Sequence, residues 1–181
     1  MTISGHEAVR AGLASELNRL WRFGLVLSGS RTTAEDLVQA TCVRALERAH
    51  QFTPGTPLDR WLFTILHSIW LNELRAARYR RGEGLVDAET SLVFDGIKEI
   101  ETNIMAAEVL KQVQSLPEAQ RETVFLVYVE GLTYREAAVV LAVPIGTVMS
   151  RLAGARARLA GLNDISAGAA GERHGKDNEP T

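Results

Sequence analysis

A chain of 181 residues, 46% hydrophobic and 23% charged, is long enough for one domain or two small ones and has a globular composition. No apolar run reaches the roughly eighteen residues that a membrane span needs, and the first residues carry neither the basic nor the hydrophobic part of a secretory signal. A lone cysteine, Cys42, excludes an internal disulfide, and together these features read as a cytoplasmic chain without membrane insertion.

The net charge of −2 argues against nucleic acid only as an average. Four arginines and no acid fall between Arg75 and Arg81, and three arginines and no acid between Ala137 and Asn163. Between these patches, Gly82 to Glu108 holds seven acidic residues opposed by Lys98 alone. Taken by itself, the first arginine run has the plainer reading of a solvated helix end.

Apolar residues recur with helical period throughout, and no run alternates as a strand would, so the fold class is all-α. A first helix is expected over Leu13–Leu27, broken at Gly29. Thr32 and Glu35 have capping-box spacing, with Thr33 and Asp36 as an overlapping alternative. In the helix that follows, over about 35–50, Leu37, Val38, Thr41, Cys42, Ala45, Leu46 and Ala49 share one face. Glu35, Asp36, Gln39, Arg44, Glu47 and Arg48 project elsewhere. The Phe52–Pro57 segment, with two prolines and a glycine, is a turn. A third helix from Leu58 to Arg81 carries the wide stripe Trp61, Leu62, Ile65, Leu66, Ile69 and Leu74.

Periodicity fails after Gly82. The acidic stretch 82–103 reads as a flexible linker between a first domain, 10–81, and a second, 104–162, with a disordered tail over 163–181. In the second domain Pro117 suits a first helical turn. The helix through Val124, Phe125 and Tyr128 should stop at Gly131. Thr133 and Glu136 form another capping box, Ala142-Val143 a turn, and Pro144 opens a helix with the buried stripe Val148, Leu152, Ala155 and Leu159. Two helices so joined are a helix-turn-helix.

No catalytic constellation accompanies this architecture. His6, His50, His67 and His174 are scattered, each better read as a surface or core residue, and metal-ligand spacings and phosphate-cradling glycine loops are missing. No metal, cofactor or active site is expected. In the last helix Thr147, Ser150, Arg151, Gly154 and Arg158 lie opposite the buried stripe, which would put hydroxyls and an arginine in a major groove. A helical hairpin used for protein contact is the alternative. The segment 52–81 combines Trp61, Phe63, Trp70 and Tyr79 with a cationic end, as stacking on unpaired bases requires. For Trp61 the competing reading is core.

These residues resemble a family. Ala34-Glu-Asp-Leu-Val-Gln-Ala-Thr41, Trp61-Leu-Phe-Thr-Ile65 and the Arg75–Arg81 run are similar to region 2 of bacterial extracytoplasmic-function (ECF, group IV) sigma factors. Leu116-Pro-Glu-Ala-Gln-Arg-Glu122, Gly131-Leu-Thr-Tyr-Arg-Glu-Ala-Ala138 and Pro144-Ile-Gly-Thr-Val-Met-Ser-Arg-Leu152 are similar to region 4. The Pro54-Gly-Thr56 and Trp61–Leu66 pattern resembles the general-stress subgroup.

The resemblance implies a transcription-initiation subunit, not an enzyme by itself. Asp36, Gln39 and Arg44 would dock on the β′ clamp helices of core RNA polymerase. Thr53, Thr56, Asp59, Arg60, His67, Ser68, Arg75, Arg78, Arg80 and Arg81 would open and read the −10 element of promoter DNA. Thr133, Tyr134, Thr147, Ser150, Arg151 and Arg158 would read the −35 duplex, with the opposite face of region 4 on the polymerase β flap. An anti-sigma factor would cover the polymerase-binding faces. Departures from the pattern are His67-Ser68 where Arg-Asn is common, Met149 where a basic residue is usual, and Gly154 likewise. Losing these charges weakens nonspecific phosphate attraction. A sigma-like mimic that sequesters an anti-sigma factor and a helix-turn-helix repressor are the rival functions. The two halves are expected to fold independently, their basic faces mildly repelling each other.

Overall fold

The computed structural model describes residues 4–81 and 113–171, with side chains described as far as Ala160. All regular elements among these residues are helical. No single described helix is long and apolar enough to cross a membrane.

Helix α1, Gly5–Ser28, starts earlier than its periodicity suggests. Ser4 and Glu7 form a reciprocal capping box that satisfies the first backbone N–H groups. Gly29, at φ 67°, ends the helix in the left-handed conformation. Helix α2, Arg31–Glu47, is capped by Ser30, whose Oγ accepts from Thr33 N at 3.3 Å. The expected caps at Thr32 and Thr33 therefore lie inside the first turn. α1 and α2 cross closely, because a Cβ on Gly24 would lie only 3.2 Å from Ala34 Cα. A 3-10 turn, Ala49–Gln51, leads into the loop around Gly55 (φ 90°), which Thr56 closes by donating to Thr53 O at 2.7 Å. Helix α3 spans Leu58–Arg80.

In the second half, α4 covers Glu118–Val124 with Pro117 at its N-cap, and a π-helical turn, Phe125–Val129, extends it. Glu130 N donates to Phe125 O at 3.0 Å, and Gly131 (φ 71°) stops the run. The Thr133–Glu136 capping box opens α5, Tyr134–Leu141. Ala142, with a left-handed φ of 52°, makes the turn into α6. That last helix, Ile145–Gly171, continues beyond Asn163, where a disordered tail was expected. The expected linker, 82–103, and the restart near Ile104 lie outside the described residues.

The halves do not stand apart. Leu20, Phe23, Leu27, Leu62, Phe63 and Leu66 of the first half and Val124, Phe125, Leu126, Leu141, Val148 and Leu152 of the second belong to one continuous core. Phe23 joins them: its ring stacks on Phe125 (5.7 Å between centroids, 9° between planes) and meets Phe63 edge-on at 5.3 Å. Each such aromatic buried from water contributes about 1.5–3 kcal/mol. The expected repulsion between basic faces does not arise, because the second half presents carboxylates at the junction and the first presents cations.

Candidate polymerase and nucleic-acid interfaces

The face of α2 turned away from α1 and α3 exposes Asp36, Gln39, Val43 and Glu47 at helical spacing, while Arg44 is half-buried. Val43, at 56% exposure, is an apolar member of this stripe that amphipathic reasoning did not single out. Its neighbour Leu46, expected on the buried face, is 42% exposed. An apolar pair set among charged groups suits a protein partner better than water.

The residues expected at the −10 element divide. Thr53 and Thr56 are exposed on the loop, and Ser68 is exposed with its Oγ donating to Ile65 O. At the C-terminal end of α3, Arg75, Arg80 and Arg81 are exposed and Arg78 half-buried. Of the four aromatics read as stacking platforms, Phe63 is fully buried, Trp70 is buried, and Trp61 packs half-buried on Phe52 at 5.2 Å. Tyr79, 87% exposed among the arginines, is the aromatic left to stack on a base.

Asp59, Arg60 and His67 are instead held at the junction. Asp59 is buried and accepts from Arg19 Nη2 at 2.8 Å and from Arg60. Arg60 Nε donates to Glu136 of the second half at 3.2 Å. His67 is buried under the ring of Phe23, its Nε2 3.2 Å from Glu122 Oε2. Around them Trp70 Nε1 donates to Glu118 at 2.7 Å, and Arg121 Nε donates to Val26 O at 2.8 Å. Glu130, its side chain almost wholly covered, takes Arg19 Nε at 2.6 Å and Arg22 Nη2 at 3.2 Å. Burial works against the charge on Arg19, but its bonds to Glu130 and Asp59 outweigh that and raise its pKa. Arg121 is pushed the other way by burial, only partly offset by Glu118 and Glu122.

The helix-turn-helix is rotated relative to the face expected from sequence. Val148, Leu152 and Ala155 are buried, but α6 packs on α4 as well as α5, so the covered arc is wider. Thr147, Arg151 and Gly154 are half-buried on the α4 side. Arg151 Nη1 donates to Glu122 Oε1 at 2.9 Å, and a Cβ on Gly154 would meet Gln120 Nε2 at 2.8 Å. Arg151 is thus turned inward, and Gly154 lies against the flexible end of Gln120. Gly146, Met149, Ser150, Ala153 and Arg156 are exposed, and so is Arg158, two turns beyond Arg151 on that residue's side of the helix. Thr133 spends its hydroxyl on the capping box with Glu136, and Tyr134 is half-buried.

Comparison with known proteins fits this architecture. Residues 13–80 match the family described as Sigma-70 region 2, and residues 106–159 match Sigma-70 region 4. The ECF RNA polymerase sigma factor EcfG of Rhodopseudomonas palustris is 31% identical, over 86% of this chain and 85% of its own length. SigC of Mycobacterium tuberculosis, another ECF sigma factor, is 30% identical over 82% and 80%. This chain belongs to the ECF sigma factors. Among solved structures, the sigma factor RpoE of Bartonella quintana, in complex with the anti-sigma factor NepR, aligns with a TM-score of 0.70 at 29% identity, covering 87% of this chain and 98% of that one. CnrH, solved with the cytosolic domain of CnrY, shares the fold, with a TM-score of 0.59 at 24% identity over 89% and 93% of the two chains. The family consists of DNA-binding transcription regulators.

In sigma-factor terms, α1–α3 form region 2, and α4–α6 lie in region 4. Ion pairs across the junction run from the region 4 carboxylates Glu130 and Glu136 to Arg19, Arg22 and Arg60 of region 2, and Glu122 faces His67 beside them. Sequence reasoning missed these carboxylates. Glu122 and Glu136 stood in quoted motifs, but only as family pattern and as a capping residue. The spacing puts Glu118 and Glu122, four residues apart, on one face of α4, but nothing local ties Glu130 or Glu136 to them.

Proposed function

We propose that this sigma factor docks on core RNA polymerase through the exposed stripe of α2, Asp36, Gln39 and Val43, with Arg44 at its edge. It engages unpaired −10 DNA with the 53–56 loop, Ser68, Tyr79 and the α3 arginines Arg75, Arg78, Arg80 and Arg81. The −35 duplex meets exposed residues of α6, Ser150 and Arg158. Polymerase supplies the nucleotidyl transfer, and this chain contributes positioning and strand opening without bond-making chemistry. Its place of action is the cytoplasm, where polymerase is. Asp59, Arg60 and His67 reach DNA only after region 4 leaves region 2, so promoter engagement requires separation of the halves. An anti-sigma factor acting on this chain would hold the halves together, since one ligand that spans both gains from their tethering. The liganded state of the Bartonella relative supports that part of the reading.

The observation that carries the proposal is the coexistence in one chain of an exposed polar-apolar stripe on α2, a cationic helix end and a helix-turn-helix whose recognition helix faces out. The test is transcription by core polymerase with and without the chain on a genomic promoter library. Defined start sites that depend on the chain are expected. Binding to core without any promoter selection would exclude the sigma role. The variant Asp36→Ala/Gln39→Ala is expected to lose core association at least tenfold while keeping the wild-type thermal midpoint, and unchanged competition for core would reject the α2 stripe.

A further inference from the structure

The outward stripe of α6 lacks a cation where a recognition helix meets bases. Its first two turns expose Ile145 (46%), Gly146, Met149 (53%), Ser150 and Ala153. The arginine nearest these turns, Arg151, is committed to Glu122 at 2.9 Å on the buried side. Arg156 and Arg158 are exposed but lie further along the helix, past the N-terminal turns that enter a groove. Ser150 already donates to Thr147 O at 3.0 Å, which leaves its oxygen lone pairs as the polar feature of the stripe.

That composition restricts what can be read. Guanine offers two acceptors in the major groove and is specified by arginine or lysine, whereas thymine offers a C5-methyl group specified by apolar contact. Guanine facing Met149 would lose water from O6 and N7 without gaining a donor, a desolvation cost with no return. A thymine methyl against the flexible thioether gains dispersion and sheds water from both surfaces. The occupant must also be polyanionic along its edges, and the stretch from Ala137 to Asn163 carries three arginines and no acid.

We propose that Met149 is the principal −35 specificity residue of this sigma factor, packing with Ala153 against thymine methyl groups in the major groove. Arg156, on the same side of α6 as Met149 and Ala153, holds a flanking phosphate, and Arg151 is a positioning residue that fixes α6 on α4. The inference rests on the −35 role assigned above and adds to it the chemistry of the base that is read.

The experiment uses holoenzyme. Duplexes randomised across the −35 segment are selected by binding, and the selected duplex is then compared with a copy in which each −35 thymine is replaced by deoxyuridine, which removes only the methyl groups. Wild-type holoenzyme is expected to bind the deoxyuridine duplex about four-fold more weakly per contacted methyl, the factor for one buried CH2 group. Met149→Ala is expected to bind thymine and deoxyuridine duplexes alike, and Met149→Leu to keep the discrimination. Met149→Arg is expected to select guanine at the facing position. Equal binding of both duplexes by the wild type would overturn the inference while leaving the −35 role intact. Failure to select any −35 sequence would overturn the −35 role itself, and the inference with it.

Discussion

Regions 2 and 4 bury their cores alike but treat their functional faces in opposite ways. In region 2 part of the proposed face is engaged at the junction: His67 is buried against Glu122, Asp59 is buried beside Arg19, and the half-buried Arg60 donates to Glu136, while the loop threonines, Ser68 and the far end of α3 stay open. Region 4 places its carboxylate edge at the junction and leaves the outward stripe of α6 in solvent. The two surfaces proposed to meet DNA are therefore not equally exposed in the closed chain. The outer residues of α6 are open to solvent while region 2 is docked, whereas the docked part of α3 is uncovered only by separation. The junction holds through charge, through Phe23 and through Trp70, and single substitutions at Phe23 and at the charged groups show what each contributes to the closed state.

The largest effect is expected from Phe23→Ala. Phe23 is fully buried and touches Phe63, His67 and Phe125, so its truncation leaves a cavity shared by both regions. A loss of about 3–5 kcal/mol is expected, as for other buried phenylalanines. Because the core is continuous, denaturant unfolding of the wild type should be a single transition reported equally by probes in either region. Two separated transitions would restore the independent halves expected from sequence and mark the junction as a weak contact.

Glu130→Ala comes next. It strips a carboxylate from Arg19 and Arg22, but Arg19 keeps Asp59 and Glu16, both at 2.8 Å. The loss should fall below the roughly 3–5 kcal/mol seen when a buried pair loses one partner. Its larger consequence is a shift of population toward separated regions. A greater radius of gyration in small-angle scattering and tighter association with core polymerase are expected together. Expansion with unchanged core affinity would show that the junction does not gate polymerase binding.

Arg151→Ala separates positioning from reading. Glu122 would keep His67 but lose the Arg151 bond to its other oxygen, and a buried carboxylate left partly unsatisfied should cost about 1–3 kcal/mol of stability. Binding by holoenzyme is expected to weaken evenly across −35 sequences. A selective loss at one base pair would return Arg151 to the base-reading role that its sequence position suggested.

What the sequence made legible was local. The Thr133–Glu136 box, the Gly29 and Gly131 stops and the extent of α3 each depend on residues within a turn or two, and each was read from spacing alone. The α2 cap was not, because Ser28, Ser30, Thr32 and Thr33 offer several hydroxyls, and the choice among them depends on how Gly29 turns the chain. The face of α6 was misjudged by a fraction of a turn because a single buried stripe cannot show that two helices pack on it. The junction was illegible for a stronger reason. Arg19–Glu130 and His67–Glu122 join residues far apart in sequence, and neither carries a local mark of its partner. His67-Ser68, read as a weakening of −10 contacts, gains a second meaning, since a histidine there can share Glu122 with Arg151.

The smallest effect, and the one that tests the carboxylates singly, is the pH dependence of stability. Glu136 is held below its usual pKa of 4.5, chiefly by the backbone N–H of Thr133, then by the Thr133 hydroxyl, with Arg60 adding to both. Glu118 is pushed above 4.5, chiefly by burial, against the opposing bond from Trp70. The signs follow from linkage. For Glu136 the folded chain binds its proton less tightly than the unfolded chain, so its stabilisation is present above the unfolded pKa and is lost as pH falls through the folded one. For Glu118 the folded chain binds the proton more tightly, so stabilisation is present below the unfolded pKa and is lost as pH rises through the folded one. Glu136→Gln should therefore be less stable than wild type at neutral pH and converge on it in acid. The gap should be a fraction of about 1 kcal/mol, since the group is partly exposed. Glu118→Gln keeps an oxygen for Trp70 Nε1 and removes a buried charge, so it should equal or exceed wild type at neutral pH and lose that advantage in acid. Parallel stability curves for both variants between pH 3 and pH 7 would mean that neither carboxylate is coupled to folding, and that the cap and the junction are held by packing alone.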